Sequence, residues 1–314
     1  MTKKKHKKRN SLKQSANVIA PKKEKGNRLK SLNLDLLIWI SAAIILTVGI
    51  IIRSYAFQTP IVGDEAVYGI LGKKVMMGAD IYKDVYEMKP PLLFYVYGIS
   101  NVLFGWGATG LRLTGLLLVL FNSFLIYSFA KVYASTAFSV LAGVVCFFFL
   151  NNAYTYATET VAEHFLLSFA LSGYYLLVNP KIRNLNYNIL IAGFLICGGA
   201  MIKQTGALFG VGAILLIVWY ALNEHKSYKK NQLLKYILFL ALGAFFMMAL
   251  NILPIIISGT LPYAKYWLVE APSLYTSTRA LSDNWIYFDL IGGWILNYQF
   301  STILLALLAV VSIV

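Results

Sequence analysis

The feature that most constrains this chain is a succession of apolar runs, each close to the length needed to cross a bilayer. Residues 36–52, 110–130, 136–152, 160–178, 187–202, 205–222, 236–257 and 289–314 are almost uninterrupted apolar sequence. A helix of about 20 residues crosses the roughly 30 Å hydrocarbon core. Within that core every backbone N–H and C=O must be satisfied inside the segment, so runs of this kind form α-helices. Composition agrees: 59% of the 314 residues are hydrophobic and 13% are charged. The mean hydropathy of +0.66 is too high for a water-soluble domain. The expected fold class is therefore all-α, a polytopic membrane protein with about eight transmembrane helices. The last run, STILLALLAVVSIV, closes the sequence with no polar residue after it, and a C-terminal truncation is expected.

Basic residues orient these spans. Residues 1–33 hold 12 of the 28 Lys and Arg residues and almost no apolar side chains. Such a segment is expected to be a disordered cytoplasmic arm lying near anionic headgroups. No aromatic residue is interleaved there for base stacking, so no nucleic-acid partner is expected. The run from Pro91 to Phe104 is the ambiguous one, at fourteen residues. Taken as an interfacial helix with proline in its first turn, it leaves 19 of the 28 basic residues inside, in the arm, at Lys131, at Lys181 and Arg183, and around Lys226–Lys235. Counting it as a span would export the two basic loops. The N-terminus is thus read as cytoplasmic in a multi-pass cell-membrane protein. A domain spanning 34–314 presents a first outer loop, 53–109, with short interfacial helices, and a second outer loop, 258–288.

This topology sends Asp64, Glu65, Lys89, Arg112, Glu159, Glu163 and Lys203 to the outer face, although they come from separate parts of the sequence. Ionisable groups at a membrane edge are costly and face protein or water, so their convergence points to a shared site. Two readings stand for Asp64 and Glu65, which either cap a short interfacial helix through its dipole or supply a catalytic base. Lys89, before Pro90-Pro91, either snorkels beside a helix start or joins Arg112 and Lys203 in a cationic cluster suited to a lipid phosphate. Glu159 and Glu163 lie one turn apart at a helix entry, capping it or supporting the site. His164, beside Glu163, lacks further ligands at metal spacing. Cys146 and Cys197 lie inside apolar runs and read as packing residues.

The ordered set Gly63-Asp64-Glu65, Lys89-Pro90-Pro91-Leu92, Arg112, Glu163 and Lys203 resembles the polyprenyl-phosphate-sugar-dependent membrane glycosyltransferases of the C superfamily. These include the protein O-mannosyltransferases and the bacterial transferases that put aminoarabinose on lipid A. The resemblance covers roughly residues 36–257. It implies transfer of a sugar, with inversion, from a polyprenyl-phosphate-sugar lipid donor to a hydroxyl of an acceptor glycan, lipid or protein outside the cytoplasm. By motif match Asp64 looks like the general base and Glu65 its supporting neighbour. Lys89, Arg112 and Lys203 would hold donor phosphate, with Glu163 and Glu159 as supporting acids. The outer loop would form a mobile cover in which Lys265, Glu270 and Arg279 are candidates for acceptor contact.

Relatives that use a divalent cation often place Glu or His directly before Lys-Pro-Pro. This chain has Met88 there, with Glu87 one residue away as a weak metal candidate, so the cofactor stays undefined. The alternative function is a lipid-linked sugar or lipid-phosphate transporter, or flippase. Such a protein would show inverted repeats and charges near the bilayer midplane, and neither is seen in the sequence.

Overall fold

A computed structural model describes residues 24–151, 159–182, 185–223 and 230–277. Residues 1–23 of the basic arm, the 289–314 run and Arg279 lie outside the described residues. The described chain is all-α. Its helices are α1 (Glu24–Ser54), α2 (Gly63–Met76), α3 (Leu92–Phe104), α4 (Ala108–Tyr133), α5 (Thr136–Leu150) and α6 (Ala162–Val178), followed by α7 (Asn186–Ile202), α8 (Ala207–Asn223), α9 (Lys230–Ile257), α10 (Leu261–Lys265) and α11 (Ala271–Ser277). Helix α1 starts at Glu24, so its first turns run through the end of the segment expected to be a disordered arm.

Among the described residues four stretches are long and apolar enough to cross a membrane: Leu34–Gln58, Ala108–Tyr133, Gln204–Leu222 and Gln232–Ile257. Four more apolar helices are shorter. Helix α5 has 15 residues, α6 and α7 have 17 each, and α3 has 13. At 1.5 Å per residue α3 reaches only about 20 Å, well short of the hydrocarbon thickness. Its limits follow from the sequence. Pro90-Pro91 starts it, where a missing N–H costs no intrahelical bond. Gly105, at φ +100°, ends it in a conformation that other residues resist.

Helix α2 is built for an interface. Asp64 and Glu65 occupy its first turn and Lys73 and Lys74 its last, each sign facing the favourable end of the helix dipole. Lys73 lies over the Trp106 ring, 5.5 Å from its centroid. The helix lies against α3 so closely that a Cβ on Gly72 would sit 2.5 Å from the Gly98 nitrogen and 2.9 Å from the Phe94 oxygen. The most extensive helix packing joins α7 to α9. There a Cβ on Gly193 would come within 2.0 Å of the Leu240 carbonyl, so the two backbones touch through a residue without a side chain.

Two apolar clusters position the end of the molecule that carries α2 and α3. Tyr68, Leu93, Tyr97, Leu111, Phe165, Leu166 and Ile202 join α2 and α3 to α4, α6 and α7. Ile81, Tyr82, Val85 and Phe94 pack with Ile255 and Ala264, with Trp267 and Leu268 alongside. Tyr86 stacks on Trp267 at 5.3 Å and 12°. The segment expected to be a mobile cover is therefore helical over much of 261–277 and packed on the loop that holds Tyr82 and Tyr86. Its apolar residues, Trp267 and Leu268 among them, find partners in that loop, which the sequence pattern does not reveal. Gly72→Val should force α2 and α3 apart and destabilise the protein by about 1–3 kcal/mol. Val67→Ala, on the exposed side of the same helix, should change the thermal midpoint in detergent little by comparison.

Candidate functional site

The site is organised around a buried ion pair. Arg112 Nε donates to both carboxylate oxygens of Glu65, at 2.8 and 2.7 Å. Its Nη1 reaches the Ala56 carbonyl at 2.7 Å and Thr59 Oγ1 at 2.9 Å, and its Nη2 the Pro60 carbonyl at 3.3 Å. The side chains are 2% and 0% exposed. Glu65 Oε1 also accepts the Thr160 N–H at 2.8 Å, while the Thr160 hydroxyl donates to the Leu111 carbonyl at 2.6 Å. The Tyr97 hydroxyl donates to the Thr160 carbonyl. One carboxylate and one guanidinium thus tie together the chain leaving α1, the start of α2, the start of α4 and the extended residues entering α6.

Arg112 therefore stands elsewhere than the sequence suggested. Each of its nitrogens has a protein partner, and its side chain is 2% exposed. The physical reason is the fork of the guanidinium, which matches a carboxylate edge and leaves its remaining donors to satisfy carbonyls in the preceding turn. Glu65 is likewise occupied at both oxygens.

Asp64, one residue earlier, points the other way and is exposed. Its Oδ2 accepts a hydrogen bond from the Tyr68 hydroxyl at 3.0 Å, one helical turn along. Among the described residues no hydrogen bond reaches its other oxygen. Asp64 lines a cavity of about 740 Å³ together with Glu159, Glu163, His164, Phe149 and Leu167. His164 is 1% exposed, and its Nδ1 has no hydrogen-bond partner. Burial pushes the Glu159 carboxyl up. The charge of Glu65 adds to this, that of Arg112 opposes it, and Asp64 contributes further in the upward direction.

The two lysines come to the same end of the molecule. Lys203 ends α7 in an extended conformation and bonds the Glu163 carboxylate. Its neighbour Gln204 donates to the Met88 carbonyl, which docks the tip of the α7–α8 hairpin on the Lys-Pro-Pro turn. Lys89 Nζ is 3.8 Å from Glu87 Oε1, and Tyr82 holds the Lys89 carbonyl at 2.9 Å. Asp64, Glu87 and Glu163 all act electrostatically on the Tyr68 hydroxyl, which sits among them.

Two of the three expected acceptor contacts are not among the residues lining this cavity. Lys265 and Glu270 pair with each other at 3.3 Å on an exposed surface, and Arg279 lies outside the described residues. Glu87 is taken up by Lys89 and by the Met88 N–H at 2.8 Å. Among the described residues no three His, Cys, Asp or Glu side chains come together as a metal site.

Sequence reasoning missed Tyr68, Tyr97, Thr160 and Gln204. Tyr68 follows Asp64 at i+4, a spacing that places both on one helical face, and was legible on that ground. Nothing in the sequence marks Thr160, whose backbone N–H is the group used.

The family model described as dolichyl-phosphate-mannose-protein mannosyltransferase matches residues 88–255, more than half of the chain. No curated protein and no solved structure gives a match.

Removing one partner of a buried pair strands the other. Arg112→Ala or Glu65→Ala should each destabilise the protein by about 3–5 kcal/mol. The combined replacement Glu65→Leu with Arg112→Met should recover much of that loss, measured by thermal unfolding in detergent.

Proposed function

The chain belongs to the dolichyl-phosphate-mannose-protein mannosyltransferase family, and from that premise we propose that it transfers a sugar from a polyprenyl-phosphate donor to an acceptor hydroxyl at the extracytoplasmic membrane face, with inversion. The observation that carries this reading is Asp64. It is an exposed carboxylate with one oxygen held by Tyr68 and the other unengaged among the described residues, in a cavity lined by Glu163, whose partner Lys203 is followed by the Gln204 that bonds Met88, the residue before Lys89.

The chemistry follows from those groups. Asp64 accepts the proton of the acceptor hydroxyl as its oxygen attacks the anomeric carbon from the side opposite the phosphate. The bond between that carbon and the phosphate oxygen breaks, and the lipid phosphate leaves carrying the electron pair. Lys89 and Lys203 stabilise the developing charge on the phosphate. A single displacement of this kind inverts the anomeric centre. Glu65 and Arg112 take no part in the bond changes and act by fixing the backbone that carries Asp64.

Each lysine already has a carboxylate companion, Glu87 for Lys89 and Glu163 for Lys203. The donor phosphate takes the place of those companions, so the cations are held ready without leaving uncompensated charge at the membrane edge. The glycan, lipid or protein acceptor enters from outside, through the wall formed by residues ahead of α6. About eight spans, with α5, α6 and α7 crossing a locally thinned bilayer, bring the N-terminus to the cytoplasmic side.

Turnover of a labelled polyprenyl-phosphate sugar by the full-length protein in nanodiscs tests the assignment. Asp64→Asn should lower kcat by roughly 10²- to 10⁴-fold while donor binding persists. Lys89→Ala and Lys203→Ala should each lower kcat/KM for donor by about tenfold or more. Wild-type turnover in Asp64→Asn would overturn the base assignment, and a product of retained anomeric configuration would overturn the single displacement. Orientation has its own check. Asp84→Cys should react with an impermeant thiol reagent added outside intact cells, and Lys131→Cys should not.

A further inference from the structure

A tyrosine one helical turn from the exposed carboxylate is placed to decide which of its oxygens meets the substrate. Tyr68 and Asp64 share a face of α2, and the phenol donates to Oδ2 at 3.0 Å. The ring cannot easily swing away. Tyr68 is 1% exposed and packed among Leu93, Leu111, Phe165 and Ile202, with Tyr97 edge-on at 5.5 Å. Tyr97 is itself fixed through its hydroxyl to Thr160, whose N–H also holds Glu65. The phenol thus hangs from the rigid part of the molecule, while the carboxylate it holds faces the cavity.

We propose that Tyr68 is a positioning residue for the transfer reaction. Its hydroxyl engages Oδ2 of Asp64, fixes the carboxylate rotamer and presents Oδ1 to the acceptor hydroxyl. This rests on the reading of Asp64 as the base. The phenol never takes the substrate proton, which passes from the acceptor hydroxyl to Oδ1.

The chemistry of the surroundings suits this role. Burial and the neighbouring Asp64 push the Tyr68 phenol well up, with Glu87 and Glu163 adding, so it stays a donor through any working pH. The charged or titratable groups around the pair are Glu87 of the first outer loop, Tyr97 of α3, Glu163 of α6, Glu159 ahead of α6, and the Glu65–Arg112 pair. A hydrogen bond to a carboxylate favours its charged form.

Tyr68→Phe keeps the ring and its packing and removes one oxygen. In full-length protein in nanodiscs it should lower kcat about tenfold, the scale of a hydrogen bond to a charged group. Donor KM and thermal midpoint should stay near the wild-type values. Incorporation of 3,5-difluorotyrosine at position 68, which returns a phenol donor, should restore kcat. In an Asp64→Asn background, Tyr68→Phe should have no further effect. Wild-type kcat in Tyr68→Phe, with Asp64→Asn inactive, would overturn this inference and leave the base assignment standing. A loss of kcat matched by a rise in donor KM and a lowered thermal midpoint would make Tyr68 a packing residue and overturn it equally. Full activity in Asp64→Asn would instead remove the premise.

Discussion

Burying the Glu65–Arg112 pair is the constraint on which the end of the molecule around Asp64 depends. Arginine and glutamate taken out of water each lose several kcal/mol of hydration, and mutual attraction repays this only when the remaining donors and lone pairs are also satisfied. Here they are, by Ala56, Thr59, Pro60 and the Thr160 N–H. The partners lie on segments far apart in sequence, so the pair acts as a rivet that brings the end of α1, the start of α2, the start of α4 and the entry to α6 to one point. Without that convergence the cavity beside Asp64 would lose the wall carrying Glu159 and Glu163.

Much of this arrangement was legible in the sequence because charges are conspicuous in an apolar chain. Asp64, Lys89, Glu163 and Lys203 stood out, and the structure brings them to one end. The short helix starting at Pro91 was legible for a different reason: a proline pair and a glycine bracket a run too short to span. What the sequence could not convey is which charge satisfies which. Arg112 at the start of an apolar run looks the same whether it faces a phosphate or a carboxylate from another helix, and only the fold distinguishes them. Tyr68 is one of 21 tyrosines, and the i+4 spacing that singles it out gains meaning only when Asp64 is seen to be exposed. Thr160 acts through its main chain, which carries no residue-type signature. The packing of Trp267 on Tyr86 escaped notice because aromatic residues near a membrane surface are expected there in any case.

The lysines illustrate how charge is managed at a membrane edge. An empty site with two bare ammonium groups would be costly in a poorly hydrated setting, and two permanently neutralised ones would bind no anion. Pairing each with a carboxylate that remains partly exposed, Glu163 at 50% and Glu87 at 22%, lies between these extremes. An exposed or half-exposed ion pair is worth little, on the order of 1 kcal/mol or less, so such a pair can exchange its carboxylate for another anion. The buried Glu65–Arg112 pair is the opposite case and is not exchangeable. Burial therefore separates the cation that holds the fold from the cations whose ion pairs remain open to water.

The same principle divides two neighbouring acids. Successive residues on an α-helix point about 100° apart, so in the first turn of α2 one of Asp64 and Glu65 must face the protein when the other faces the cavity. The longer side chain reaches inward to Arg112, and the shorter one stays outside, where only a residue one turn on can touch it. That residue is Tyr68, which is itself buried because it lies on the side of α2 that packs against α3. A single turn of helix thus supplies an anchor, an exposed carboxylate and its hydrogen-bond donor. Exchanging Asp64 and Glu65 would fail on both counts, with one chain too short for Arg112 and the other too long to be held by Tyr68.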